Sequence, residues 1–150
     1  MTAETHSLYP GMVTAFLLAK VEHGSGASDI AQLIVTCCFE LDKALTPVIG
    51  QRGLVALLKR SLHLASAQQT WLADCRESFE LKTDLTELMA ALSRQTSELA
   101  ARGGGSFLEH FHQLLTSLVG TPLTERLLRS VWSTFLSGSF AQDSPQDSSR

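Results

Sequence analysis

Hydrophobic positions recur at helical spacing along nearly the whole chain. Over 28–49, Ile30, Leu33, Ile34, Cys37, Cys38, Leu41, Leu45 and Val48 advance in steps of mainly three and four, which sets them along one side of an α-helix. Ser28 or Asp29 is placed to cap this helix, Pro47 to bend or stop it, and Gly50 to supply the left-handed residue at its end. A second helix is expected from about 52 to 67, with Leu54, Leu57, Leu58, Ser61, Leu62 and Ala65 on one face. Before these, 11–22 reads as a short helix carrying Val13, Phe16, Leu17 and Val21, and His23-Gly24-Ser25-Gly26-Ala27 breaks it.

The stretch 68–83 is less periodic, with Trp71, Leu72 and Phe79 as anchors for a turn or short helix. Asp84 and Glu87 resemble a capping pair, opening a helix through Leu85, Leu88, Met89 and Leu92 toward Ala101. Gly103-Gly104-Gly105 reads as a flexible break. Ser106-x-x-Glu109 has the form of a capping box and is expected to start the next helix, which carries Phe107, Leu108, Phe111, Leu114, Leu115, Leu118 and Val119. Gly120 ends it, and Thr121 caps a last helix with Pro122 at its first position. That helix aligns Leu123, Leu127, Leu128, Val131, Trp132, Phe135 and Leu136.

Two stretches align without a gap, 70 residues apart. LTPVIGQRGLVALLKRSL at 45–62 matches LTSLVGTPLTERLLRSVW at 115–132, pairing Gly50 with Gly120, Leu57-Leu58 with Leu127-Leu128, and Lys59 with Arg129. Thr46 and Thr116 also correspond, each expected to bond a carbonyl one turn earlier. The pattern predicts an all-α bundle of about six helices, in which two similar helix–Gly–helix hairpins are related by a pseudo-twofold axis. Gly50 and Gly120 should then occupy equivalent turns, and the two Leu-Leu pairs should meet near the axis. Trp132, Phe135, Phe111, Leu115, Leu57 and Leu41 are expected in the core.

The length of 150 residues fits one domain. The arms 1–8 and 140–150 are expected to be disordered, having too little apolar content to fold alone. Charged residues make up only 18% of the chain against 44% hydrophobic, so part of the apolar surface is expected to be covered by a partner, a second copy of the chain first of all. Twelve basic against fifteen acidic residues give a net charge of −3, an unfavourable balance for nucleic-acid binding. No apolar run approaches the roughly 20 residues of a membrane span. Residues 1–7 contain no Lys or Arg and so lack the basic start of a secretory signal, which makes a cytoplasmic location the expectation. Three cysteines, Cys37, Cys38 and Cys75, do not form a disulfide framework.

Candidate chemistry is sparse. His110 and His112 lie two apart on one helix and point away from each other, so they cannot share a metal. His63 follows the first hairpin. With Phe111, these three histidines are the positions from which a haem-like or lipid-like ligand would be held between the hairpins. A metal site would need two or more of Glu40, His63, His110 and His112 to converge, and no spacing demands it. Lys59, Arg60, Arg126 and Arg129 stand at related places in the two hairpins and are candidates for a patch facing an acidic partner. The glycine triplet lacks the Lys-Ser/Thr of a phosphate loop, and nothing resembles a nucleophile elbow. The sequence therefore points to a non-catalytic interaction or signalling module, most simply a homodimer. A small-molecule sensor is the first alternative and a metal-binding helical protein the second. No metal site and no particular cofactor is indicated.

Overall fold

The computed structural model describes residues 11–73 and 85–137. The expectations for 1–8 and 140–150, and for Cys75, Phe79 and Asp84, fall outside them. The described chain is all-helical: α1 is Met12–Glu22, α2 Ala27–Ala65, α3 Thr86–Ser93, α4 Ser97–Val119 and α5 Thr121–Ser137. The span of α2 holds two helical arms, 27–49 and 51–65, that meet at a kink at Gly50. Gly50 has φ 80° and ψ 160°, a conformation essentially confined to glycine. Pro47, one turn earlier, removes a backbone donor on the approach to this bend.

Three local readings are corrected. Gly103, Gly104 and Gly105 are fully helical and buried inside α4. A Cβ on Gly103 would stand 2.5 Å from the Trp71 ring, one on Gly104 2.8 Å from Ile34, and one on Gly105 2.7 Å from the Thr14 Cα. The triplet is where three other parts of the chain press against α4. Secondly, α4 begins ahead of the triplet. Its N-cap is Thr96, whose hydroxyl accepts from the Leu99 N–H at 3.1 Å, and Ser106 lies mid-helix. Glu109 serves as a cap, although for another helix: its two carboxylate oxygens accept from the N–H groups of Gly11 (2.9 Å) and Thr14 (3.0 Å). The α1 start has no acidic residue of its own, so α4 supplies the negative charge that helix N-termini favour. Thirdly, the helix at 86 stops at Ser93 rather than reaching Ala101.

Smaller departures follow the same logic of local competition. Asp29 accepts from the Gly26 N–H at 2.9 Å and so fastens the α2 start from within the first turn. Thr121 is itself helical, and the Gly120 carbonyl accepts from the Thr124 N–H at 3.0 Å. Thr46 donates to the Asp42 carboxylate instead of a carbonyl. The Thr116 hydroxyl, like that of Thr124, is buried with no partner.

The core runs along α2 and α4, the most extensively packed pair. Phe107, Phe111 and Phe135 are its largest fully buried side chains, each worth roughly 1.5–3 kcal/mol of transfer out of water. Leu41, Leu115 and Trp132 are buried as expected. Leu57 is only partly buried and Leu58 takes the inner position. Helix α1 lies chiefly on α4 and α3 chiefly on α2, while α1 barely touches the α2 that follows it.

Segments 27–67 and 97–137 follow closely similar courses. Helices start at Ala27 and Ser97. Gly50 (φ 80°, ψ 160°) is matched by Gly120 (φ 93°, ψ 157°). Ile30, Ala31, Leu33, Ile34, Cys37, Cys38, Leu41 and Leu45 are buried, as are Ala100, Ala101, Gly103, Gly104, Phe107, Leu108, Phe111 and Leu115, 70 places later. Ile34 and Gly104, one such pair, lie against each other.

Candidate functional site

Helix α4 turns one polar face outward, and the spacing of Arg102, Ser106, Glu109, His110 and Gln113 places all five on it. Thr14 of α1 and Gln68 of the turn after α2 close the other sides, forming a cleft of about 250 Å³. The burial of the glycine triplet builds it. With no side chains on 103–105, α1 and the Trp71 turn approach α4 closely, leaving the polar side chains at the edge of the contact. Glu109 spends both oxygens on α1. Arg102 reaches back one turn to Glu98 through Nε at 3.1 Å and Nη2 at 3.0 Å, an exposed pair of the kind worth well under about 1 kcal/mol. The side chains of Thr14, Gln68, Ser106, His110 and Gln113 hydrogen bond to no other described residue.

The two α4 histidines diverge. His110 lines the cleft. His112 turns toward α5, where its Nδ1 lies 3.2 Å from Trp132 Nε1 and the rings meet edge to face, 5.8 Å between centroids. Indole N–H only donates, so Nδ1 must be the acceptor and the imidazole carries its proton on Nε2. Burial lowers the His112 pKa below the ordinary histidine value, and Glu125 partly opposes this. His63 is exposed on the far arm of α2. Phe111 and Leu58 are fully buried. Among the described residues, no three His, Cys, Asp or Glu side chains gather as metal ligands would.

Arg60, Arg126 and Arg129 are exposed and Lys59 half-buried. Among the described residues, the ion pairs Lys43–Glu40 and Arg102–Glu98 involve none of these four cations. Cys37 and Cys38 are buried beside each other. Desolvation pushes the Cys38 thiol up to about 12 and, with Cys38 and Glu40 nearby, raises Cys37 well above its ordinary value. Both shifts disfavour the thiolate, the nucleophilic form of cysteine.

Sequence reasoning reached His110 and missed the rest of the cleft. Its signal was present: Arg102, Ser106, Glu109 and Gln113 share a face once 97–119 is continuous helix. Reading the triplet as a break hid that register. No helix among the described residues is long and apolar enough to cross a membrane. Comparison with protein family models, curated proteins and solved structures finds no match to the chain.

Proposed function

We propose that this chain is a non-catalytic helical interaction module, built from two like halves about a local twofold axis and working as a homodimer. The observation that carries the reading is a repeated exposure. Val48 and Leu118 stand two residues before Gly50 and Gly120, at matching positions, and remain 50% and 62% exposed. The preceding positions of the same apolar series, Leu41 and Leu45 in one half and Phe111 and Leu115 in the other, are fully buried. An apolar side chain left in water at the same place twice is better accounted for by a contact surface than by chance. The equal bends at Gly50 and Gly120 and the Ile34–Gly104 contact support the local axis.

Light scattering on the full chain at tens of micromolar tests the reading. A dimer that becomes monomeric in the double variant Val48→Ser, Leu118→Ser is the expected result. A wild-type monomer removes self-association. A dimer untouched by the double variant moves the contact elsewhere.

A further inference from the structure

The cleft on α4 has a chemistry of its own, independent of self-association. Its one carboxylate, Glu109, is committed on both oxygens to the α1 backbone. What it leaves open to a ligand is mostly donors: the Arg102 guanidinium, the Gln68 and Gln113 amides, the Thr14 and Ser106 hydroxyls and the His110 imidazole. That set suits an acceptor-rich anion and offers a cation no free ligand oxygen of full charge. Arg102 is held only by an exposed partner one turn away, so it can be recruited at small cost, and its planar fork matches two oxygens at once. The volume, about 250 Å³, holds roughly eight waters at ~30 Å³ each, the scale of a small ligand.

The matching face of α2 shows that the arrangement is particular to α4. Seventy residues before Arg102, Ser106, Glu109, His110 and Gln113 stand Gln32, Thr36, Phe39, Glu40 and Lys43. There the cation Lys43 is bound to Glu40 at 3.1 Å, and an exposed Phe39 replaces the capping carboxylate. The donor-rich cleft therefore occurs on one half only.

We propose that this cleft is a binding site for a small oxyanion, a carboxylate or phosphate group, anchored by Arg102 and oriented by Gln68, Ser106, His110 and Gln113. The test is a ¹H–¹⁵N NMR titration of the full chain with inorganic phosphate and, separately, with succinate at constant ionic strength. The site predicts saturable shifts centred on Gln68, Arg102, Ser106 and Gln113, including the glutamine side-chain amides. The anion that saturates at lower concentration identifies the preferred group. Arg102→Gln should weaken binding about tenfold or more, and Glu98→Gln, which frees the guanidinium, should tighten it. Both positions are exposed, so both variants should fold. Shifts spread evenly over Arg52, Arg60, Arg126 and Arg129, no saturation with either anion, or an affinity unchanged by Arg102→Gln would each overturn the proposal. A monomeric chain would leave it standing.

Discussion

Segments 27–67 and 97–137 share a helix start, a glycine turn and most buried positions, and they carry different side chains where they touch. Each starts a helix at its first residue, buries nearly the same sequence of positions, turns at a glycine and continues as a shorter helix. Where they meet, one segment carries Ile34 and the other Gly104, while Gly103 and Gly105 face Trp71 and Thr14 instead. Two helices bearing bulky groups at the same height cannot approach closely, and two bearing only glycine would leave a void. A large residue, Ile34, opposite a small one, Gly104, resolves the conflict, and it makes the two segments unequal. The polar consequences follow: only the glycine-bearing helix lets α1 come near enough for Glu109 to cap it.

The largest effect should come from filling the space where α1 meets α4. Gly105→Ala gains about 1 kcal/mol of helix propensity, yet its Cβ would meet the Thr14 backbone at 2.7 Å. We expect a net loss of about 1–3 kcal/mol in urea denaturation. Gly104→Ala meets side-chain atoms rather than backbone, those of Ile34 at 2.8 Å and Leu92 at 3.9 Å, and should lose less. Equal losses, or a gain at 105, would contradict the close approach of the α1 backbone to Gly105.

Next in size is the borrowed cap. Glu109→Gln removes the charge facing the α1 N-terminus and should cost about 1 kcal/mol, with faster amide exchange at Gly11 and Thr14. Its counterpart Phe39→Gln should change stability by less than about 0.5 kcal/mol. A reversal of that order would remove Glu109 as a capping residue.

The smallest effect concerns His112. Its folded-state pKa is lowered, so the unfolded chain binds the proton more readily. The contribution is complete above the ordinary histidine value near pH 6.5 and is lost as pH falls through the lowered folded value. Protonation also gives Nδ1 a hydrogen and ends the Trp132 bond. Stability of the wild type should therefore fall more steeply than that of His112→Gln on acidification below about pH 6.5, with a matching change in Trp132 fluorescence. Parallel pH profiles would contradict the assignment.

How much of this was legible in the sequence differs by feature. Leu and Gly at fixed spacing disclosed the helices, both bends and most of the core, because amphipathic spacing is a local property. The triplet 103–105 was misread because glycine serves both as a chain breaker and as a place of close approach. Which role it takes is decided by Thr14, Ile34 and Trp71, at 32 or more residues' distance. Ser106-x-x-Glu109 satisfied a local capping pattern, while the N–H groups that Glu109 receives lie 95 and 98 residues away. The cleft depends on both of these, so it stayed hidden apart from His110.

The claim on which the comparison rests is that the two bends are equivalent and need glycine for its backbone alone. A Cβ on Gly50 would meet nothing within 4 Å, and one on Gly120 only the Pro122 Cδ at 3.9 Å, so alanine would bring strain without a clash. Urea denaturation of Gly50→Ala and Gly120→Ala should therefore show matched losses of about 1–3 kcal/mol each. A neutral result at one glycine beside a large loss at the other would contradict the account.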